Sequence, residues 1–405
     1  MTSDSNSYRS LLGIANVPLV LAAAAVSRLA SRMFALLIVL YALSRFGSPS
    51  FAGWLSFAAM TPGLLISPVS GAFLDRIGAQ RAIILDMAAS SVLLATLTGA
   101  DLLAPANEVV ILLIVAAYSL TSPLSAAGIR TLLPRLVLLA ELDRINAVDT
   151  AIYAVADVLG PALAGAVFSY SGGAATFLVI AVAYALAACC LLPVHLAEPH
   201  RPHSGSIWHQ TWEGLVLVLK EPTLRGLATS YSLYQMTWGA LLIVIPVIVG
   251  ANFQAPENDR ITGALWAIVG FSGAIGALVT GHLRTAGRER AVMAIGMAVT
   301  AVACWPIAAC NGWAGVVVCL IIAGVAVGPV DVGLLTLRQR RTDPSKLGRV
   351  LSVSMSLNLS GLPIGSAVAG LLLGISANAT FLFAAAAAAL AAFLVRLIPT
   401  NGSPR

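Results

Sequence analysis

Charged side chains inside long apolar stretches are the residues of this sequence best placed to do chemistry. Arg28 and Arg32 lie four residues apart in the first stretch, and Asp149, Tyr153 and Asp157 follow one another at the same spacing in the fifth. Residues four apart share a helix face, and ionisable groups within a membrane usually pair or face a cavity. We therefore expect Asp157 to pair with Arg28 or Arg32, either permanently or in a pair that opens when Asp157 takes up a proton.

A further acidic residue, Asp331, lies in the tenth apolar stretch just after Gly328 and Pro329. Proline can break a helix, so the carboxylate follows a point of weakness in the predicted span. The sequence leaves two interpretations open. Asp331 is either a second proton site or the partner of Arg338 or Arg340.

Aromatic and polar side chains in four of the apolar stretches, several of them three to four residues apart, predict the lining of a cavity. Such a cavity would accept aromatic or amphipathic molecules. Contact between helices is the alternative role for the same side chains. The predicted lining residues are Phe34, Tyr41, Tyr153, Tyr231, Gln235, Trp238 and Asn358.

The elements that must position these groups are membrane-spanning helices. The chain is 59% hydrophobic and only 10% charged, with a mean hydropathy of +0.92. About twelve apolar runs approach the ~20 residues that cross a bilayer, and a chain in lipid must satisfy its own backbone. The sequence predicts an all-α membrane protein with twelve transmembrane helices in two six-helix bundles, residues 1–195 and 226–405, joined by a cytoplasmic linker, 196–225. The ninth and tenth helices are predicted at 291–310 and 313–337.

Most of the 23 Lys and Arg residues fall in the loops on the side of the two termini. Positively charged loops stay in the cytoplasm, so we expect both termini there. This topology explains the basic net charge without a nucleic-acid partner. The five cysteines lie in or beside apolar runs without metal-ligand spacing, so we expect no disulfide, metal site or cofactor.

One short polar turn stands out between the second and third apolar runs. It has the pattern G-x-x-x-D-R-x-G-x-x-R, formed by Gly71, Asp75, Arg76, Gly78 and Arg81. Glycine readily adopts a positive φ, so we expect the chain to reverse at Gly78. The two halves of the sequence also echo each other. The run from Gly160 and Pro161 to Gly165 is answered, about 205 residues later, by the run from Pro363 through Gly365 to Gly370.

With these motifs the sequence resembles the Major Facilitator Superfamily, and within it the branch of bacterial drug-efflux proteins that includes the enterobactin exporter. The narrower resemblance rests on residues 130–137, 141–147, 337–340 and 348–350. It implies that Asp75 and Arg76 help to lock the two bundles together on the cytoplasmic side. It also implies that Gly160, Pro161 and Gly165 correspond to an antiporter signature in the fifth helix.

The resemblance implies a monomeric secondary transporter that exports small organic molecules in exchange for protons by alternating access. Drugs, siderophore-like compounds and anionic metabolites are the expected substrates. Import of a metabolite, or export of one specific siderophore, is the alternative. Arg28 and Arg32 favour an anionic substrate, unless Asp149 and Asp157 already neutralise them. The sequence carries no nucleophile, metal or phosphate-binding motif typical of an enzyme, so we expect no catalytic residues.

Overall fold

The computed structural model describes residues 11–103, 107–138, 141–194, 212, 215–216, 218–282, 287–305, 307–341 and 347–399. These residues are helical apart from short turns, and no strand occurs among them. The helices, in chain order, are α1 (Val17–Phe46), α2 (Pro49–Ile77), α3 (Ala79–Leu103), α4 (Glu108–Leu136), α5 and α6 (together Leu142–Leu191), α7 (Pro222–Asn252), α8 (Glu257–His282), α9 (Glu289–Cys304), α10 (Ile307–Arg341), α11 (Leu347–Leu359 and Gly361–Leu372) and α12 (Ala377–Leu394).

Within the described residues, ten helical stretches are long and apolar enough to cross a membrane. One of them, Arg144–Leu191, is 48 residues long. It contains both α5 and α6, because Gly172, with φ 72° and ψ −174°, reverses the chain within it. A positive φ with extended ψ is a conformation that glycine adopts without the clash a Cβ would cause. The predicted all-helical membrane fold is therefore confirmed.

Successive helices run in opposite directions, so the turns alternate between two ends of the molecule. We call them the Gly47 end, where α1 meets α2, and the Gly78 end, where α2 meets α3. Gly78 has φ 89°, and its N–H bonds to the Leu74 carbonyl oxygen at 2.9 Å. The reversal expected at Gly78 is confirmed.

The boundary predicted between the ninth and tenth helices was wrong. The α9 helix ends at Cys304, and Trp305 leaves the helical region with ψ 140°. The next residue in the sequence is Pro306, and the residue before a proline is pushed away from helical geometry. Residues 307–312, which the prediction placed in the ninth helix and the following turn, lie within α10.

The helices pack in two groups, α1–α6 and α7–α12, called here the first and second halves. Within the first half, α1 and α3 pack on the α5–α6 hairpin and α4 packs on α2 and α3. Within the second, α7 packs on α11 and α12, while α10 packs on α8 and α9. Contacts between α5 and α8, and between α2 and α11, join the halves. The predicted bundle boundaries stay a prediction, since most of the linker lies outside the described residues.

The glycines that echo each other in sequence make matching contacts. A Cβ on Gly160 of α5 would overlap Arg32 of α1, and a Cβ on Gly365 of α11 would overlap Met236 of α7. The contact of Gly160 lies within the first half, and that of Gly365 lies within the second half. Each helix therefore carries, at the same place in its repeat, a glycine that lets a neighbour's backbone come close.

The second glycine of each pair reaches across to the other half at the Gly47 end. A Cβ on Gly165 would lie 3.0 Å from the Gly263 Cα of α8, and a Cβ on Gly370 would lie 3.3 Å from the Gly53 Cα of α2. These two backbone contacts, the glycine seam, close the Gly47 end between the halves.

Candidate functional site

The deepest charge pair joins α1 to α5. Arg28 donates from Nη2 to the Asp149 Oδ1 at 2.6 Å and from Nη1 to the Asp149 carbonyl oxygen at 3.0 Å. Both side chains are buried, and the guanidinium carbon lies 3.6 Å from the centroid of the Tyr153 ring. Arg130 of α4 approaches the second carboxylate oxygen at 3.9 Å. Two hydrogen bonds and a stacked ring hold Arg28 in place, an arrangement typical of a permanent ion pair.

A second pair lies one turn along α1. Arg32 Nε is 2.5 Å from the Asp157 Oδ1, and the two side chains are 46% and 44% exposed. The close approach of α5 at Gly160 brings the backbones together beside Arg32. On the other side, Gly270 of α8 lies against the Asp157 carbonyl group. This pair is therefore accessible and borders the second half, in contrast to Arg28 and Asp149.

Of the two partners that the sequence allowed for Asp157, the structure has Arg32. Arg28 is taken by Asp149. Each arginine of the first helix thus has its own carboxylate. The proton-coupling role of these residues stays a prediction.

Asp331 lies on α10 of the second half. It accepts a hydrogen bond from the Tyr231 hydroxyl at 2.7 Å and retains exposed surface. Among the described side chains, none of the basic groups comes within ion-pair distance of Asp331, and the predicted partner Arg338 is not paired with it. The side chain of Arg340, the other predicted partner, lies outside the described part of the structure.

Arg338 instead lies beside Asn358 of α11. With the amide oriented to suit its neighbours, Asn358 accepts from Arg338 Nη2 at 2.5 Å and donates to the Ser354 carbonyl oxygen at 3.1 Å. Arg338 and Asn358 are 3% and 2% exposed. Asn358, predicted as a cavity residue, therefore serves here as a buried partner for a cation.

An aromatic face runs along α7 away from Asp331. Ring centroids are 6.2 Å apart from Tyr231 to Tyr234, 6.3 Å from Tyr234 to Trp238, and 6.4 Å from Trp238 to Trp266 of α8. Tyr231, Gln235 and Trp238 each keep 8% of their surface exposed, so any opening beside them is narrow in this conformation. The predicted spacing of these three residues does place them on one helix face.

The placement of Phe34 and Tyr41 corrects the predicted cavity lining. Phe34 is buried with its ring 4.2 Å from that of Tyr118, and the Tyr41 hydroxyl donates to Asp101 at 3.0 Å. Both residues lie about half a helical turn away from Arg32 around α1. They face the interior of the first half, away from the charge pairs.

The turn at the Gly78 end is described in part. Arg76 and Arg81 are exposed. Gly71 and Asp75 lie within α2, and the Asp75 side chain falls outside the described part of the structure. The lock that the resemblance implies for Asp75 and Arg76 therefore stays a prediction.

Sequence reasoning missed one buried acid. Asp86 of α3 is 2% exposed and accepts hydrogen bonds from the hydroxyl groups of Ser125 in α4 and, at 3.4 Å, Ser90. The structure shows no basic partner for it among the described side chains. An isolated aspartate within the third apolar run was the available signal.

The fold, the paired membrane charges and the internal repeat define a transporter-type membrane protein. The sequence matches the model of the Major Facilitator Superfamily over residues 20–286 and 227–405. The chain belongs to this superfamily and is an integral membrane protein.

Similar proteins include transporters from bacteria. The chain is 48% identical, over 98% of both chains, to an uncharacterized MFS-type transporter, y4rN, of Sinorhizobium fredii. It is 27% identical to the multidrug efflux pump Tap of Mycobacterium tuberculosis, over 84% of this chain and 83% of that protein. A POT family transporter solved with 5-aminolevulinic acid has a TM-score of 0.75 at 12% identity, covering 97% and 96% of the two chains, which shows a shared fold.

Proposed function

We propose that this protein is a secondary transporter that exports small organic molecules in exchange for protons. The observation that carries the proposal is the half-exposed Arg32–Asp157 pair beside the second half. The similarity of the chain to a multidrug efflux pump supports export over import. In this proposal the protein lies in a bacterial inner membrane with both termini and the Gly78 end in the cytoplasm, and one chain that contains both halves works as a monomer.

The coupling step starts from the charges between the halves. Ionised Asp157 attracts Arg32, and α8 of the second half lies against the Asp157 backbone. A proton on Asp157 weakens this attraction and leaves the Arg32 charge free to interact with the second half. Protonation of Asp157 therefore changes the interaction between the two halves beside the Arg32–Asp157 pair. The balance between open and closed conformations changes with it.

The glycine seam supports alternating access as the movement. In the described conformation the halves meet by backbone at the Gly47 end. We propose that the substrate enters from the Gly78 end in this conformation. It leaves after the Gly165–Gly263 and Gly53–Gly370 contacts separate. Transporters of parallel repeats move one bundle against the other around a central site in this way.

The main argument for an anionic substrate, which came from the sequence, no longer holds. They were favoured because Arg28 and Arg32 would meet the substrate as free cations. Asp149 and Asp157 neutralise both arginines, which is the condition under which that argument fails. Small organic molecules without a net negative charge are therefore the better candidates.

Transport in proteoliposomes with an imposed pH gradient tests the proposal. We expect at least one compound from a screen of small organic molecules to move against its gradient when protons flow the other way, and an uncoupler to abolish this. Asp157→Asn should remove the dependence on the pH gradient. Asp101→Asn, at the Gly47 end and hydrogen-bonded to Tyr41, is the matched control and should keep it. Gradient-driven transport that survives Asp157→Asn unchanged would contradict the assigned coupling residue.

A further inference from the structure

Two thiols lie in contact between α9 and α10 in the second half. The Cys304 Sγ is 4.0 Å from the Cys319 Sγ, and each residue is only 1% exposed. Both cysteines are free in this structure. They are 15 positions apart along the chain, and the packing of the two helices brings them together. A thiol with a second thiol beside it can react with that neighbour, which an isolated cysteine cannot do.

Each of these thiols lies on the buried face of its helix. In α9, Met297, Thr300 and Cys304 are buried and follow one another at intervals of three and four residues. In α10, the buried residues Cys319 and Ala323 are four positions apart. Residues spaced in this way share a helix face, and the contact of the sulfurs shows that the two faces meet. Neither helix has to rotate for the two sulfurs to reach each other.

A bond between the sulfurs requires a small movement. The S–S bond is about 2.05 Å long, so the two sulfurs must approach each other by about 2 Å. Changes of rotamer about the Cα–Cβ bonds move the sulfurs while the backbone stays in place. Cys304 is also the last residue of α9, because Trp305 leaves the helical region. The backbone that follows this thiol is therefore not held by further turns of the same helix.

The surroundings of the pair favour a disulfide bond over a metal ion. A structural site for a thiophilic metal such as zinc usually has four ligands. Among the residues that the structure describes, no group of three or more His, Cys, Asp or Glu side chains is placed to hold a metal ion. Two thiols alone are sufficient for a disulfide.

The position of the pair along the membrane normal also suits oxidation. The α9 helix runs towards the Gly47 end, and Cys304 is its last residue. In the proposed topology this end lies on the side of the membrane away from the cytoplasm. Disulfides form and persist outside the bacterial cytoplasm, whereas thiols inside it are kept reduced. This argument uses the orientation given in the proposed function, whereas the distance between the sulfurs is independent of it.

We propose that Cys304 and Cys319 form a reversible disulfide bond that ties α9 to α10 in the presence of an oxidant such as an organic hydroperoxide. Both thiols lose their protons, one S–S bond forms, and two electrons pass to the hydroperoxide. The O–O bond of the hydroperoxide breaks, and the products are the disulfide, an alcohol and water. The disulfide stabilises the second half, because it limits the conformations of the unfolded chain between α9 and α10.

The test counts free thiols in the detergent-purified full chain, first reduced with dithiothreitol and then treated with tert-butyl hydroperoxide. Denaturation in the presence of a maleimide-linked polyethylene glycol adds one step of mass for each free thiol. The chain has five cysteines, and oxidation should remove two of them from the count. Renewed reduction should restore both. Peptide mass spectrometry should identify the linked pair as Cys304 and Cys319.

Substitutions assign the loss of thiols to this pair. Cys304→Ser and Cys319→Ser should each lose none of their remaining thiols on oxidation. Cys319→Ala carries the same expectation and replaces Cys319→Ser should that variant fail to fold. Cys189→Ser removes an exposed thiol of α6 and is the matched control, which should still lose two.

Thermal unfolding gives a second measurement. Oxidation should raise the midpoint of the unaltered protein by roughly 5 °C, because a disulfide that closes a loop of this length stabilises a protein measurably. The midpoint of Cys319→Ala should not respond to the oxidant. Each midpoint is compared with that of the same protein after renewed reduction.

Three results would overturn the inference: an unchanged thiol count after oxidation, an equal loss of thiols in Cys304→Ser, or a linked peptide that joins other cysteines. None of them bears on proton coupling. A protein that forms the disulfide without gradient-driven transport would refute the proposed function alone, and transport by a protein that never forms the disulfide would refute this inference alone.

Discussion

Charged side chains within the membrane have different kinds of partner in the two halves. In the first half, Arg28 and Arg32 each have a carboxylate partner one helix away. In the second, Asp331 and Arg338 lie about two turns apart on α10 and meet neutral partners, Tyr231 and Asn358. In a buried pair within one half, loss of either partner leaves an uncompensated charge and destabilises that half. A charge with a neutral partner keeps part of its attraction for a proton, a ligand or the opposite half.

The largest effect should come from breaking the buried pair of the first half. Asp149→Ala leaves Arg28 uncompensated, and we expect a loss of about 3–5 kcal/mol of stability. Thermal unfolding in detergent measures this as a lower midpoint. The double variant Arg28→Leu with Asp149→Leu removes both charges and should recover much of the loss. If the double variant were as unstable as the single one, packing around Tyr153 would matter more than the charge.

Disruption of the exposed pair should affect transport more than stability. Asp157→Asn keeps the side-chain shape, and a half-exposed ion pair contributes only about 0–1 kcal/mol. We therefore expect a thermal midpoint close to that of the unaltered protein and a transport rate that no longer responds to the pH gradient. A large drop in the midpoint would instead assign Asp157 a structural role like that of Asp149.

The glycine seam between the halves offers a test with an expected effect of intermediate size. Gly263→Ala forces a Cβ into the Pro161 carbonyl oxygen at 2.5 Å, and overpacking of this kind costs typically about 1–3 kcal/mol. We expect the Gly47 end to open more often, measured as faster labelling of a cysteine that replaces Ser50, whose side chain already lies at the seam beside Gly370. Gly281→Ala on the same helix meets nothing within 4 Å and is the matched control. Equal labelling of the two variants would show that the seam does not govern the opening.

The smallest effect is expected at Asp86, the acid of the first half that lacks a basic partner. Asp86→Asn retains an oxygen that accepts from Ser125 and Ser90, so stability should change by about 1 kcal/mol or less. Asp86→Leu removes the acceptor and should cost more, because buried hydroxyl groups then lose their partner. Should Asp86→Asn also alter the pH dependence of transport, the first half would contain a proton site outside its ion pairs.

The sequence was sufficient for the fold and for the charged residues that form the two ion pairs between α1 and α5, but not for Asp86. Long apolar runs predicted the helices, and residues four apart predicted that Arg28 and Arg32 face α5. The pairing itself depends on the axial position of α1 against α5, which is set by the backbone contact at Gly160. No spacing within one helix contains that information.

Two further differences between the predictions and the structure have simpler causes. Phe34 and Tyr41 were expected in a cavity because they are aromatic, although helical geometry already places them away from Arg32. Tyr231 could not be assigned to Asp331 because their contact joins helices a hundred residues apart. Contacts of this kind follow from tertiary packing, which a single sequence does not specify.

The glycine seam has a mechanical consequence. Where two helices meet by interlocked side chains, separation requires each side chain to leave its rotamer and find another. At Gly165, Gly263, Gly53 and Gly370 no side chain exists to rearrange. One hydrogen bond crosses there, from the Ser50 hydroxyl to the Gly370 carbonyl oxygen at 3.0 Å. Separation of the halves at these four glycines therefore requires few changes of side-chain rotamer.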